Sequence, residues 1–364
     1  MTNRMQQTMQ AAMRLMQQGD LKSATLALQS GLQGNAVEPG APPHAAPVDL
    51  EGRFRVVSDE PLTPSAESPA PSRNRTGTFS DERFTSELGS LAYKLFIPSG
   101  LSEDTPPPLL LMLHGCTQSP DDFARGTRMN ALAQEQGYVV AYPAQAQRSN
   151  ANKCWNWFRT QDQQRDRGEA ALLAALARHL VDTQGLDARR VYAAGLSAGG
   201  AMAAVLAHTH PDVFAAVGVH SGLPFGSAHD MPTAFAAMKS GRRGATREGT
   251  GKLRVIVFHG DSDTTVNASN GDALVEQFSD ASPSQGEQRD VTIEKGSVEG
   301  GRAFTRRIYK DAAGIVTAEQ WTLHGAGHAW SGGDVAGSYT DPTGPDASAQ
   351  MLRFFSTCAN AALN

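Results

Sequence analysis

The sequence predicts a doubly wound, mostly parallel α/β sheet, and three observations carry that prediction. From about residue 105 onward, short apolar runs alternate with helical patterns. The central runs, such as Leu109–Leu113 (LLLML), are apolar at every position, as strands covered on both faces are. Val191–Gly200, VYAAGLSAGG, reads as strand, sharp turn and helix around Gly195-Leu196-Ser197-Ala198-Gly199, a G-x-S-x-G pattern. In such a sheet the functional side chains gather beyond the carboxyl ends of the strands.

Residues 1–34 predict a helical hairpin. Met5, Met9, Ala12, Met13 and Met16 share one helical face, Gly19 stops that helix, and Leu21, Ala24, Leu28 and Leu32 line the second. One hairpin cannot bury its own apolar face. It is expected to dock on the main domain, on another surface, or on a second copy of the chain as a homo-oligomer contact. Residues 35–80 are rich in Pro, Ser, Ala and Glu and predict a linker. The catalytic domain is expected over 81–364, with folded chain starting near Phe79. Ser90–Pro98 alternates like an edge strand, with Leu91, Tyr93, Leu95 and Ile97 on one face. Leu109–Leu113 is a buried strand, Asp121–Gln136 one helix, Tyr138–Tyr142 a strand, and Asp166–Thr183 an Ala/Leu-rich helix. Arg190–Ala194 is the strand before the turn and Ala198–His208 the helix after it. Phe214–Val219, Leu253–Phe258 and Gln320–Leu323 complete the strands, and Asp346–Asn360 is the closing helix.

Composition narrows the function classes. The chain has 364 residues and a net charge of −5, with no long block of basic residues, which excludes a nucleic-acid footprint. No apolar run is long enough to span a bilayer. Three cysteines are too few for a disulfide scaffold. Glutamines interrupt the first residues, so no signal peptide is predicted and a cytoplasmic location is expected.

The chemistry starts at Ser197. A serine presented at a helix N-terminus is a nucleophile; it needs a base, an acid to orient that base, and donors for an oxyanion. In this fold the acid and then the base follow the nucleophile in sequence. After Leu253–Phe258 comes HGDSDTTV, where Asp263 is favoured as the acid over Asp261, expected to fix its own turn. After Gln320–Leu323 comes HGAGHAW, where His328 in its glycine setting is favoured as the base over His324 at the strand end. Two glycines between these histidines argue against a helical metal site, and the chemistry calls for no metal or cofactor. The oxyanion donors are expected to be the backbone amides of Ala198 and of Cys116, the latter in HGCTQ after Leu109–Leu113. Trp155 and Trp157 in CWNWF, and Trp330 two residues past His328, are expected to wall the substrate, because the segment has polar flanks.

LMLHGCTQSPDDFA, CWNWF, VYAAGLSAGGAMA, VGVHSGLPFG, HGDSDTTV and GAGHAWSGG together resemble the polyhydroxybutyrate depolymerase esterases with a type I catalytic domain, relatives of feruloyl and acetylxylan esterases. The resemblance covers about 85–360. It implies an α/β-hydrolase fold, hydrolysis of short-chain polyhydroxyalkanoate or its oligomers, and a triad of Ser197, Asp263 and His328. It also implies a disulfide between Cys116 and Cys154, leaving Cys358 unpaired. Secreted members carry a signal peptide and a polymer-binding domain that the sequence does not display. The expectation is therefore an enzyme of amorphous granules or soluble oligomers, with a granule surface among its partners. Alternatives are a feruloyl or acetylxylan esterase, or a granule-associated binding protein. The implied disulfide pulls against a cytoplasmic location, where thiols are usually reduced, and the resemblance leaves an extracellular location as the alternative.

Overall fold

A computed structural model describes residues 77–102, 104–241, 253–278 and 290–360. The hairpin expected over 1–34 and the linker up to residue 76 lie outside the described residues. Ten strands form one sheet in the order β1-β2-β4-β3-β5-β6-β7-β10-β9-β8. They are β1 Thr78–Ser86, β2 Gly89–Ile97, β3 Leu109–Leu113, β4 Val139–Pro143, β5 Val191–Leu196, β6 Ala216–His220, β7 Arg254–Gly260, β8 Asp290–Ser297, β9 Ala303–Lys310 and β10 Val316–Leu323. The centre, from β4 to β10, is parallel, and both flanks are antiparallel.

Apolar strands dictate two cores. In β3, Leu109, Leu111 and Leu113 enter one core while Leu110 enters the other with Met112, all fully buried. The first core is closed by α3 (Gly168–Gln184), α4 (Ala198–Thr209), α5 (Met231–Ser240) and α6 (Ser269–Phe278). The second is closed by α1 (Pro120–Thr127), α2 (Met129–Gln136) and α7 (Ala347–Phe355). Helices on both faces of a mainly parallel sheet make the fold doubly wound, as expected.

Local departures have physical causes. The helix expected over 121–136 is two. Arg128 sits in the left-handed region (φ 54°), and Gly126 packs so closely on Gly337 that a methyl there would lie 3.3 Å from its Cα. Ser90–Pro98 is not an edge strand: β2 lies between β1 and β4, and β1 is the edge. β1 escaped the hydrophobic pattern because TFSDERFTS buries only Phe84. β8 and β9 escaped it for the same reason, with Asp, Glu, Lys and Arg along half-solvated flank strands.

Strand register aligns the functional loops. Leu113 is opposite Gly195, Leu196 opposite His220, His220 opposite Phe258, and Gly260 opposite Leu323. The loops leaving β3, β5, β6, β7 and β10 therefore emerge side by side.

Candidate active site

Ser197 occupies φ 56°, ψ −117°, a region that side chains avoid. Its neighbours permit the turn. A methyl on Gly195 would lie 2.4 Å from the Gly199 carbonyl carbon, and one on Gly199 would lie 1.9 Å from the Leu113 oxygen. Ser197 N–H donates to the His220 carbonyl at 2.9 Å, and α4 begins at the next residue. The hydroxyl is thus lifted above the sheet, partly exposed, with no hydrogen bond among the described residues.

Asp263 and His328 meet at 2.7 Å, Oδ2 to Nδ1. The other carboxylate oxygen accepts the Thr265 and Val266 N–H groups, each at 2.8 Å. The Asp263 side chain has no exposed surface. Burial pushes its pKa up, but the hydrogen bond and charge of His328, with the Val266 N–H, outweigh it and hold the carboxyl below its ordinary value. An ionised carboxylate only accepts, so His328 Nδ1 carries the proton and Nε2 is left as the basic nitrogen. His259 stands behind the acid, its Nε2 donating to the Val266 carbonyl at 2.9 Å.

The rival residues pair separately. His324 Nδ1 lies 2.8 Å from Asp261 Oδ2, and its Nε2 lies 2.9 Å from Thr305 Oγ1. Asp261 Oδ1 accepts the Gly325 N–H at 2.7 Å. This second aspartate–histidine pair ties the β7 loop to the start of the loop that carries His328.

The loop after β3, where an oxyanion donor is expected, abuts the elbow. A methyl on Gly115 would lie 3.7 Å from Ser197 Cβ. His114 is buried; its Nε2 accepts the Gln145 N–H at 3.1 Å and its Nδ1–H donates to the Gly115 carbonyl at 2.7 Å. Burial lowers its pKa to about 4, so the ring is neutral. Gln118 N–H also reaches that carbonyl, at 3.3 Å. In a trans peptide the carbonyl and the following N–H point opposite ways. Holding Gly115 C=O on one side therefore turns the Cys116 N–H to the other. Among the described residues the Cys116 and Ala198 amides have no hydrogen-bond acceptor; Ala198 is the first residue of α4, where none exists within the helix. Cys116 is joined to Cys154 by a disulfide, and Thr117 N–H donates to the Asn152 carbonyl at 2.7 Å. The loop is thus anchored to 152–154 by two bonds.

The structure does not expose the three tryptophans expected to wall a substrate. Trp155, Trp157 and Trp330 are all buried. The polar flanks of CWNWF do not bring exposure: Glu169 grips Asn156 at both backbone N–H (2.7 Å) and side-chain amide (2.5 Å), and Trp155 and Trp157 on either side are buried. Trp155 packs on His114, and Trp330 packs between Phe123 and His220 with its Nε1 on Ser348 Oγ. They support the loops from beneath.

Sequence reasoning missed His220. It is fully buried, stacked on Phe258 and Trp330, and its Nε2 accepts the Ser331 N–H at 3.0 Å. Burial, then the neighbouring histidines His259 and His328, lower its pKa to about 3. It joins the strand beside Ser197 to the segment three residues past His328. A buried strand ending in a polar ring was the available signal.

Known proteins place this arrangement. The family model described as esterase PHB depolymerase matches residues 91–283, more than half of the chain. The chain is 34% identical over 257 residues to poly(3-hydroxyalkanoate) depolymerase C of Paucimonas lemoignei, covering 67% of this chain and 60% of that protein. It is 30% identical over 203 residues to feruloyl esterase B of Thermothelomyces thermophilus, covering 51% of this chain and 68% of that one. Against poly(3-hydroxybutyrate) depolymerase of Ralstonia pickettii the identity is 30%, over 65% of this chain and 51% of the other. The chain thus spans about half to two thirds of these relatives' lengths. Acetyl xylan esterase from Aspergillus awamori has the same fold, with a TM-score of 0.57 and 17% identity over 76% of this chain and 99% of that one. A strained serine elbow, an aspartate-held histidine and a sequence match over the strands that carry the serine and the acid lead to one conclusion: the chain belongs to the esterase PHB depolymerase family.

Proposed function

We propose that the protein is a serine esterase that hydrolyses poly-3-hydroxybutyrate or its oligomers through an acyl-enzyme. The observation that carries this reading is the Asp263–His328 hydrogen bond, which leaves Nε2 as a base on the loop cluster that holds the Ser197 elbow. His328 Nε2 takes the hydroxyl proton as Ser197 Oγ attacks the ester carbonyl carbon. The carbonyl oxygen gains the electron pair and is held by the Cys116 and Ala198 N–H groups. On collapse, the C–O bond to the alcohol breaks and His328 returns the proton to the departing hydroxyl. Water attacks the acyl-enzyme by the same route and releases the hydroxy acid. The choice of polyester is supported by similarity to the two depolymerases.

A second reading, a feruloyl-type carbohydrate esterase, is supported by similarity to feruloyl esterase B, 68% of whose length the chain covers. Initial rates on amorphous poly-3-hydroxybutyrate and on methyl ferulate at equal enzyme separate the two. Turnover of the polymer is the expected result; turnover of the ferulate alone would overturn it. Ser197→Ala is expected to lower p-nitrophenyl butyrate hydrolysis on the order of 10⁵-fold with the fold kept.

A further inference from the structure

With the tryptophans buried, exposed apolar side chains are found on the segment that follows His328 in sequence. Trp330–Ser331 (β11) and Thr340–Asp341 (β12) pair as a short parallel ladder, and the loop between them is glycine-rich. Its backbone is bound on two sides. On the histidine side, Trp330 N–H donates to the Tyr339 carbonyl at 2.7 Å. On the oxyanion side, Gln118 receives the Gly115 N–H at Oε1 (2.8 Å) and donates from Nε2 to the Ser338 carbonyl (3.0 Å). Ser338 N–H and Oγ–H both reach the Asp122 carboxylate, and Asp334 N–H reaches the Gly126 carbonyl at 2.8 Å. The loop therefore bridges the segment after His328 and the segment that holds Cys116.

A backbone fixed this firmly could bury or dispense with its apolar side chains, yet two face water. Val335 is 77% exposed and Tyr339 49%. Tyr339 also sits at φ 54°, a conformation suited to Gly or Asn. The Tyr339 hydroxyl has no hydrogen-bond partner among the described residues. An exposed aromatic ring on a strained residue, in a loop bonded both to the segment after His328 and to the segment that holds Cys116, is suited to a ligand that brings its own apolar surface and acceptors.

We propose that Tyr339 and Val335 form a rim subsite for the repeat units next to the scissile ester of an aliphatic polyester chain. The inference rests on the polyester reading above and extends it. The ring and the valine cover the methyl groups of a neighbouring repeat, while the phenol donates to its ester carbonyl. A single short ester has no such neighbour, so the rim separates polymer from small substrate.

The test uses the full chain and compares initial rates on amorphous poly-3-hydroxybutyrate with those on p-nitrophenyl acetate. Tyr339→Asn removes the ring and suits the backbone angle, so folding is spared. The polymer-to-acetate rate ratio is expected to fall about tenfold, the scale of losing one aromatic contact. Tyr339→Phe keeps the ring and is expected to recover most of that ratio. Phe235→Ser removes an equally exposed ring on α5 and is expected to leave the ratio in place. An unmoved ratio in Tyr339→Asn, or an equal fall in Phe235→Ser, overturns the rim. A wild-type chain that cleaves the acetate and not the polymer overturns the polyester reading, and the rim with it.

Discussion

His328 Nδ1 and Asp263 Oδ2 stand 2.7 Å apart on the loops that leave two adjacent parallel strands. The contact is made by register. Leu323 is opposite Gly260, so the chain after β10 and the chain after β7 leave the sheet at one level. Five residues beyond Leu323 and three beyond Gly260, histidine and aspartate face each other. Ser197 leaves β5, which is separated from β7 only by β6, and His220 at the end of β6 fills that interval by accepting from Ser331 and lending its carbonyl to Ser197.

The elbow stores strain that a substitution can release. Backbone conformations like that of Ser197 cost about 1–3 kcal/mol, and glycine carries no such penalty. Ser197→Gly is expected to raise the unfolding free energy by about 1 kcal/mol while abolishing ester hydrolysis. Gly199→Ala is expected to lower the unfolding free energy, because its methyl meets backbone rather than a movable side chain. Urea melts of both variants beside the parent check the pair. A Gly199→Ala chain of parental stability would show that the elbow yields to a methyl at this contact.

The elbow was legible because its constraints are local: two glycines, a serine and an apolar strand sit within ten residues. Asp263 and His328 were legible because strand order fixes where an acid and a base must follow. What escaped was held over long sequence distances. Gln118 and Ser338 meet across 220 residues, and no pattern in HGCTQ announces it. The tryptophan orientation depended on Glu169, a carboxylate beyond the polar segment that suggested exposure. The outer flank strands β1, β8 and β9 escaped because polar and charged side chains interrupt their few apolar positions, which weakens the alternation that periodicity reads.

The disulfide closes a loop on the segment proposed to hold the oxyanion. Its cysteines are separated by 38 residues, and chain-entropy arguments assign such a closure about 4 kcal/mol at most. Cys116→Ser with Cys154→Ser is therefore expected to lower the thermal midpoint clearly. The same double variant is expected to lower kcat about tenfold, because the disulfide anchors the loop that presents the Cys116 N–H proposed as an oxyanion donor, and that N–H stays but loses its anchor. Thr117 N–H on Asn152 remains as a second anchor, so activity should persist at a reduced level. Thermal scans and p-nitrophenyl butyrate kinetics measure both effects. A full-rate double variant would leave the disulfide a stability role alone.

His220 predicts how stability depends on pH. Its folded pKa of about 3 lies below its ordinary value of 6.5, so the fold holds the neutral ring. Between those values the unfolded chain binds a proton that the folded chain refuses. The stabilisation is full above the unfolded pKa and is lost as pH falls toward the folded one, by about 1.4 kcal/mol for each pH unit. His114 and His210, both lowered to about 4 by burial, act in the same direction. Unfolding free energy should thus drop steeply below about pH 6, the upper end of the histidine range. His220→Gln is expected to be less stable at neutral pH and to show a shallower slope, by that same increment. Urea midpoints at several pH values read the slope; an unchanged slope would mean that the ring is already charged in the fold.

Asp261 and His324 lead to the last prediction. Both side chains are half in solvent, 40% and 43% exposed, so their mutual attraction contributes little to global stability. Burial acts to raise the Asp261 pKa, and the His324 hydrogen bond with the Gly325 N–H prevails and lowers it. The carboxylate therefore stays charged and holds the first turn of the loop that ends in His328. Ser262 N–H on the Ala326 carbonyl, at 3.1 Å, repeats the tie one step further on. Removing Asp261 should free that loop without unfolding the domain. Asp261→Ala is expected to lower kcat about tenfold, since small misplacement of a catalytic group is costly, with KM and the urea midpoint little changed. Asp261→Asn keeps an acceptor for Gly325 and should recover part of the rate. An Asp261→Ala enzyme with parental kcat would show that the glycine loop holds His328 by the Asp263 contact alone.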